Sequence, residues 1–307
     1  MDLTSVTDIT IPEGNVNAIK IGNLTIWTKP TVNRYKILKN GTQVANVTIN
    51  KLVKSIKNGN AQTDWGIGAQ VIVPYTDPCN NTTYELPFVF GTFTVYGTGT
   101  LGLQATRAVP TVAKVYSGGG FTSGGAVNFW TYSSFRSWLN NVNPTNTSYG
   151  FQTKWSITKS FRDCVPTDFV NATIANTHAG ATGNFFLLRV SDFYLSNSSV
   201  TISSKSYIPV LNSTSSAGWE YWQNKLGSKL KLNTTNTALK FYLVSSSTYV
   251  NVALPNPITG TGSATGSTST TSIKQGSNSM CYITNAGNFY YTNFTGTRYC
   301  LPACILG

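Results

Sequence analysis

Residues 65–96, WGIGAQVIVPYTDPCNNTTYELPFVFGTFTVY, alternate between apolar and polar side chains on both sides of a short polar segment. Alternation over this length is typical of β-strands, and the segment DPCNN has the composition of a turn. The stretch therefore predicts two strands paired around a polar loop. Earlier in the chain, RYKILKNG (34–41) predicts another strand.

Helical spacing first occurs between these two strand regions, in TINKLVKSIKNGN (48–60). Apolar residues follow at i, i+3, i+4 and i+7 from Ile49, Thr48 can cap the helix, and Asn58-Gly59 can end it. Further helices are predicted in SSFRSWLNN (133–141), PTDFVNATIAN (166–176) and SAGWEYWQNKLGSKL (216–230). Further strands are predicted in FFLLRVSDFYL (185–195), FYLVSS (241–246) and three closing runs within 278–307. Short helices among many strands indicate an α+β fold.

Residues 1–32 differ in character from the rest of the chain and are predicted to form an attachment or oligomerisation arm. Two short apolar runs flank Gly22-Asn23, which is a strong signal for a tight hairpin. Because a lone hairpin is marginally stable in water, this one must pair with something else. Residues 33–307 then form the main domain, with a mobile loop rich in Gly, Ser and Thr at about 255–275.

The composition limits the partners that can be expected. Charged residues make up 10% of the chain and the formal net charge is +12, yet lysine and arginine are spread thinly and no basic run occurs. We therefore predict no binding to nucleic acid, whereas attraction to an anionic cell surface fits this balance. No run approaches the roughly 20 apolar residues of a membrane span. The N-terminus lacks the basic and apolar regions of a signal peptide.

Residues that could act in catalysis or bind a metal are scarce. The chain has one histidine, His178, within a loop-like segment, and ten acidic residues with no paired spacing. Its five cysteines are odd in number and include no CxxC pair, and extended backbone would place Cys300 and Cys304 about 13 Å apart. We predict buried thiols and no catalytic residue, metal site or cofactor.

The C-terminal segment, NSMCYITNAGNFYYTNFTGTRYCLPACILG (278–307), combines tyrosine, asparagine and glycine around its predicted turns. Tyrosine gives a recognition surface a large contact area at low entropic cost, although plain strand surface is an equally good interpretation. In MCYIT, one face can carry Cys281 and Ile283 while the other shows Tyr282 and Thr284. The predicted receptor-binding residues are Tyr282, Asn285, Asn288, Tyr290, Tyr291, Asn293 and Arg298.

Several segments, in order, resemble a domain family of unknown function found in phages and prophages. INKLVKSIKNGNAQTDWGIGAQVIV is similar to the family's opening, NFWTYSSFRSWLNN to its "SSIRxWLN" helix, and GNFFLLRVSDFYL to its "KLFLLSxxE" strand. WEYWQNKLGSKLKL resembles its "YEYYKN" segment, and the ending resembles its "GVAPACVIG" closure. Separately, DITIPEGNVNAIKIGNLTIW resembles the N-terminal segments of phage tail, baseplate and fibre proteins.

This resemblance implies a C-type-lectin-like domain, the fold of phage receptor-binding proteins and of formylglycine-generating enzymes, with its last strands at the centre. Two departures stand out. The family's "WWLRSP" appears here as ALKFYLVSSS, and TRYCLPAC replaces the reactive cysteine pair and Gly-Phe-Arg ending of the enzymes. The second departure argues against enzymatic activity.

The resulting expectation is a bacteriophage virion protein on the capsid or tail surface: a fibre, baseplate or head-decoration component. Its lectin-like head would bind a host cell-surface glycan or protein, and its arm would contact other virion proteins in a homotrimer. One alternative is a purely structural decoration protein that stabilises the capsid or tail. A less favoured alternative is an enzyme of the formylglycine-generating type.

Overall fold

A computed structural model gives the structure of part of the chain. The described residues are 18–21, 24–28, 32–109, 134–142, 159–178, 181–188, 190–193, 200–202, 205–207, 218–226, 237–254, 264–265, 279–287, 289–293 and 299–307. No helix within these ranges is both long enough and apolar enough to cross a membrane.

The chain divides into two compact units, Met1–Asn33 and Arg34–Gly307. In the first unit, β1 (Ala18–Ile21) and β2 (Leu24–Thr28) pair antiparallel. This pairing confirms the hairpin predicted around Gly22-Asn23. The roles assigned to residues 1–32 and 33–307, attachment arm and lectin-like domain, stay predictions.

The second unit contains short strands interspersed with short helices, which confirms the α+β class. Its strands are β3 (Tyr35–Lys39), β4 (Thr42–Val47), β5 (Gln70–Thr76), β6 (Thr83–Thr92), β7 (Leu101–Ala105), β8 (Arg107–Ala108), β9 (Asn176–His178), β10 (Ala181–Gly183), β11 (Phe185–Phe186), β12 (Val200–Ile202), β13 (Lys205–Tyr207), β14 (Phe241–Leu243), β15 (Tyr249–Val250), β16 (Val252–Ala253), β17 (Ala264–Thr265), β18 (Ser279–Ile283), β19 (Phe289–Asn293) and β20 (Ala303–Leu306). Its helices are α1 (Ile49–Lys57), α2 (Asn60–Asp64), α3 (Ser134–Asn140), α4 (Thr167–Asn171) and α5 (Glu220–Leu226), with 3-10 turns at Phe161–Cys164, Val190–Phe193 and Thr237–Leu239.

The largest sheet has seven strands in the order β11-β20-β7-β6-β5-β3-β4. Every neighbouring pair in it is antiparallel. The two strands predicted around the DPCNN turn are β5 and β6, paired from Gln70↔Val89 to Thr76↔Thr83. The C-terminal strand β20 lies inside the sheet, between β7 and β11, so the end of the chain completes a core formed mostly by its first third.

One face of this sheet is covered by helices and aromatic rings. Phe169 of α4 lies 5.6 Å from Phe88, ring centroid to ring centroid. Phe161, from the 3-10 turn, stacks on Tyr75 at 5.8 Å and meets the edge of Phe185 at 5.0 Å. All five side chains are fully buried, and because strand side chains alternate, the residues between them point to the opposite face.

The opposite face is covered by α5 and the small sheet β15-β14-β8. Trp222 donates a hydrogen bond from Nε1 to Oε1 of Gln104 on β7, at 2.7 Å. Its ring lies 4.9 Å from Phe193 and 5.8 Å from Phe241. Trp219, just before α5, packs directly over Gly91 of β6. This cover leaves the β3 end of the face open.

Helix α1 is confirmed as predicted. The side chain of Thr48 accepts a hydrogen bond from the N–H of Lys51 at 3.3 Å, and Asn58 is the C-cap. Leu52 and Ile56 are buried, as the spacing required. The helices predicted in 133–141, 166–176 and 216–230 are also present, each shorter than its sequence pattern.

Two predicted strands are corrected. Among the described residues of 185–195, strand is present at Phe185–Phe186, and Val190–Phe193 form a 3-10 segment. An apolar run signals burial without specifying strand, and here Phe193 is buried against Trp222 instead of continuing the sheet. Residues 241–246 form strand only to Leu243, because a tight turn begins at Val244.

The predicted mobile loop at about 255–275 falls mostly outside the described residues. Its described part is β17, two residues that pair with β13. Ser206 is opposite Thr265 and Tyr207 is opposite Ala264. This segment therefore contains a short strand within the range predicted to be loop.

Candidate functional site

An open groove of about 460 Å³ lies on the face of the large sheet that α5 covers only in part. Its floor follows from strand alternation: Leu38 is opposite Gln70, and Ile72 is opposite Pro87, on strands whose intervening residues face the helices. The lining residues are Leu38, Gln70, Ile72, Glu85, Pro87, Arg107, Val244, Ser245, Ser246 and Ser247. The floor is thus partly apolar and the rim is polar.

The wall of the groove is the turn 244–247, which connects β14 to β15. Val244 donates its N–H to the carbonyl of Ala108 at 2.8 Å, which ties the turn to β8. Ser246 closes it, because its N–H bonds to the carbonyl of Leu243 at 3.2 Å and its hydroxyl accepts from the N–H of Thr248 at 3.2 Å. The hydroxyls of Ser245 and Ser247 remain exposed at the rim.

Beside this wall, cations and aromatic rings form a row across the small sheet, which we call the cation–aromatic row. Strand register places Tyr242 opposite both Arg107 and Tyr249. The guanidinium of Arg107 lies 4.9 Å from the centroid of Tyr242, whose ring stacks on Tyr249 at 4.1 Å. The ammonium of Lys240 lies 5.2 Å from the centroid of Tyr249. Each ring of the stacked pair therefore has one cation over it.

The two tyrosine hydroxyls are also joined. Tyr242 donates to the oxygen of Tyr249 at 2.5 Å, and this hydrogen bond raises the pKa of Tyr242. The opposite face of the same three strands is anchored in the core, since Phe241, Val250 and Ala108 are buried. The row is thus held by register, stacking and hydrogen bonding at the protein surface.

Glu85 is the one carboxylate that lines the groove. It accepts a hydrogen bond from Lys36 at 2.6 Å, and both side chains are exposed. An exposed pair of this kind contributes little stability, so its members can exchange partners with a ligand at low cost. A single carboxylate cannot supply the acid and base pair that hydrolysis of a glycoside requires.

Hydroxyls, an amide, a carboxylate and a guanidinium over an apolar floor can bind and orient a polar ligand. In the part of the chain that the structure describes, no group of three His, Cys, Asp or Glu side chains could hold a metal ion.

No family model matches the chain, and no curated protein or solved structure matches it significantly. The chemistry of the groove and of the row thus carries the functional inference.

The residues predicted for receptor binding lie around the hairpin β18–β19, apart from Asn288 and Arg298, which fall outside the described residues. Tyr290, Tyr291 and Asn293 occur on β19. Asn285 is exposed in the turn, and its N–H is held by the side chain of Asn251 at 2.8 Å.

The predicted faces of β18 need one correction. Tyr282 is 8% exposed, and its neighbour Ile283 is fully buried. Tyr282 therefore does not lie on an exposed face of β18, because both sides of the strand are packed at this point. A receptor-binding role for these seven residues stays a prediction.

Three of the ten acidic residues are engaged in local structure. Asp163 accepts from the N–H of Ser160 at 2.9 Å, and Asp168 accepts from the hydroxyl of Tyr35 at 2.6 Å. Glu220 accepts from the N–H of Phe93 at 2.9 Å. His178, predicted to lie in a loop, is instead at the end of β9 in a short hairpin with β10. Each of these carboxylates either caps a turn or joins two segments that are distant along the chain.

The C-terminal cysteines are buried thiols, as predicted. Cys304 is on β20, and the backbone of Cys300 forms an isolated β-bridge with Val109. Both side chains are fully buried, and neither forms a disulfide. Burial in apolar surroundings raises the pKa of both thiols above the ordinary value of 9.0. Neither thiol is in the reactive, thiolate-favouring environment of a nucleophilic cysteine.

These raised pKa values predict a loss of stability in alkaline solution. Above about pH 9 the unfolded chain releases its thiol protons while the folded chain keeps them, so folding becomes less favourable as pH rises. Each thiol is expected to lower the free energy of unfolding by up to about 1.4 kcal/mol per pH unit. Urea unfolding between pH 7 and pH 10 measures the slope. The slope should become shallower in a Cys300→Ala, Cys304→Ala variant; an unchanged slope would contradict the assignment.

Sequence reasoning missed the residues that form the groove wall and the row. They come from two distant segments: Arg107 on β8, and Lys240, Tyr242 and Tyr249 in or next to β14 and β15. No local pattern in the sequence predicts that these two segments meet.

Proposed function

We propose that this chain is a bacteriophage virion protein whose C-type-lectin-like head, residues 33–307, binds a glycan on the surface of the host bacterium. The observation that carries the proposal is the open groove, about 460 Å³ in volume, with a mixed apolar and hydroxyl-rich lining. Sugars offer this combination of apolar C–H faces and many hydroxyls. Fixed polar groups around an apolar floor are typical of sites that bind small ligands.

The groove is better suited to binding than to catalysis. Its single carboxylate is paired with Lys36, and a lone acid lacks the partner that general acid–base chemistry needs. Seryl hydroxyls, Gln70 and the guanidinium of Arg107 instead supply donors and acceptors in fixed directions. The groove can therefore orient a ligand, but its lining supplies no pair of groups that would react with it.

The first unit suits a role in attachment. Strands β1 and β2 form an antiparallel hairpin of nine residues in total, too small to be stable alone in water. Pairing with sister chains or with other virion proteins would stabilise it. We propose that it fixes the protein, as a trimer, in the capsid or tail surface.

The first experiment measures binding of the purified chain to whole bacteria and to immobilised bacterial surface glycans, at low and high salt. Saturable binding that persists at high salt is expected, because nonspecific attraction to the +12 chain is screened there. Ser245→Trp should fill the groove and abolish binding. Thr63→Trp, on the exposed side of α2, is the matched control and should bind normally.

Two outcomes would contradict the proposal. One is binding that vanishes at high salt or never saturates. The other is full binding by Ser245→Trp combined with loss on alanine substitution of Asn285, Tyr290, Asn293 and Arg298. That result would move the site from the groove to the hairpin β18–β19.

A structural decoration role is the second candidate, and one observation favours it. Strand β4 pairs with β3 on one side only, and Val44 on it is 50% exposed. An uncharged edge strand of this kind can accept a strand from a neighbouring protein. In this case the chain should saturate virions that lack it and ignore host cells, and Val44→Lys should weaken assembly. Saturable cell binding by the isolated chain would count against this candidate.

A further inference from the structure

We infer that the groove takes an anionic saccharide, with Arg107 and Lys240 binding its acidic groups and the tyrosine pair holding the two cations in position. This inference rests on the proposed glycan-binding function and specifies its ligand class. The shared chemistry is a sugar chain that carries carboxylate or phosphate groups at intervals. Arg107 would contact such a group within the groove, and Lys240 a second one beyond the wall.

Each cation lies over one ring of the stacked tyrosine pair. Arg107 lies over Tyr242 and Lys240 lies over Tyr249, while the two rings stack on each other. Cation–aromatic contact restricts both long side chains before any ligand arrives. Restricting a flexible side chain in advance lowers the entropic cost of binding.

Among the described residues, neither cation is paired with a carboxylate. The ion pair found there is Lys36–Glu85, and neither Arg107 nor Lys240 has a described acidic partner. The contact of Arg107 with the carbonyl of Ser246 is long, at 3.5 Å. Most of its five N–H donors thus remain available, in a planar arrangement that matches carboxylate and phosphate oxygens.

The occupied aromatic faces favour a saccharide over a nucleic acid. Single-stranded nucleic acids bind through bases stacked on open aromatic faces. Tyr242 and Tyr249 instead stack on each other, and each has a cation over its ring. Glu85 on the floor and the seryl hydroxyls at the rim can accept hydrogen bonds from sugar hydroxyls.

The test is calorimetric titration of the whole chain with three soluble probes: a uronic-acid oligosaccharide, a polyol-phosphate oligomer and a neutral oligosaccharide of similar length. At least one acidic probe should bind more tightly than the neutral one at high salt. Comparing the two acidic probes distinguishes carboxylate from phosphate as the natural group. A single-stranded oligonucleotide is the fourth probe and should bind more weakly than the better saccharide.

Variants then assign the residues. Arg107→Ala should weaken binding of the acidic probe about 10- to 100-fold, because charge-assisted hydrogen bonds are lost. Arg107→Lys should recover part of the affinity, since the charge returns without the planar donor set. Lys240→Ala should weaken binding of the acidic probe by a smaller factor. The matched control is Lys225→Ala, which removes another lysine that lies over a ring, 5.8 Å from Tyr221, and should have no effect.

The tyrosines are tested as positioning residues. Tyr242→Phe keeps the stacked ring and should bind within about twofold of the parent chain, whereas Tyr242→Leu should lose most of the advantage for acidic probes. Circular dichroism and thermal unfolding confirm that each variant is folded before titration. Equal loss of neutral and acidic binding in Tyr242→Leu would overturn the positioning role.

The two proposals fail in different ways. Equal affinity for neutral and acidic probes, or normal binding by Arg107→Ala, would overturn the anionic ligand while leaving glycan binding intact. Absence of binding to every saccharide and to cells would overturn the proposed function itself. Tightest binding of the oligonucleotide would overturn both.

Discussion

Replacing Asn140 with alanine is expected to lower the free energy of unfolding by about 3–5 kcal/mol. The side-chain Oδ1 accepts from the N–H groups of Asn184 and Phe185 at 2.8 and 2.9 Å, and Nδ2 donates to the carbonyl of Phe185 at 2.8 Å. Asn140 is 3% exposed, so water cannot replace it. Alanine would leave three backbone groups unpaired where desolvated polar groups cost about 1–3 kcal/mol each.

Asn140 matters because of its place at the edge of the sheet. Strand β11 pairs with β20 on one side, and on the other side the amide of Asn140 occupies the position where the next strand would bond. The side chain therefore ends the sheet without exposing an unpaired edge.

Urea unfolding of Asn140→Ala measures the effect, with Asn50→Ala on the exposed side of α1 as the control, expected within about 0.5 kcal/mol of the parent. A β-carbon on Gly183 would lie 2.8 Å from Oδ1 of Asn140. Gly183→Ala should therefore also destabilise, and the double variant should lose less than the sum of the single losses. A loss below about 1 kcal/mol for Asn140→Ala would mean that water replaces the amide.

Replacing Gly91 with alanine is expected to destabilise the protein by about 3 kcal/mol or more. A β-carbon there would lie 2.1 Å from Cε3 of Trp219 and 2.5 Å from Cζ3, far inside van der Waals contact. Trp219 is fully buried, and its ring also meets Tyr96 and Phe186 edge to face at 6.0 and 6.4 Å. The indole has no free direction in which to move, so the backbone of β6 or α5 must shift.

Thermal and urea unfolding of Gly91→Ala test this expectation. Gly41→Ala is the control, since Gly41 has a φ of 79° but no atom within 4 Å of an added β-carbon. Gly41→Ala should lower the free energy of unfolding by about 1–2 kcal/mol, from backbone strain alone. A second change, Trp219→Leu, should make Gly91→Ala less costly than in the parent chain. Equal losses for Gly91→Ala and Gly41→Ala would show that the ring can move aside.

The local elements follow from sequence signals that lie within a few residues of one another. The spacing from Ile49 to Ile56, with Thr48 as cap, specified α1, because the hydrogen bonds and the buried stripe of a helix depend on near neighbours. Alternation around DPCNN specified β5 and β6 for the same reason. The scarcity of acids and the single histidine also narrowed the possible chemistry, because a site can contain only the groups that the chain supplies.

Which of these elements meet depends on the tertiary structure. It placed β20 between β7 and β11, bonded the outer edge of β11 to a side chain from α3, and brought Arg107 beside Tyr242 across 135 positions of chain. The groove exists because α5 covers one part of a sheet face and leaves the rest open. Contacts between distant residues depend on the packing of the whole domain, and no local pattern in the chain encodes them.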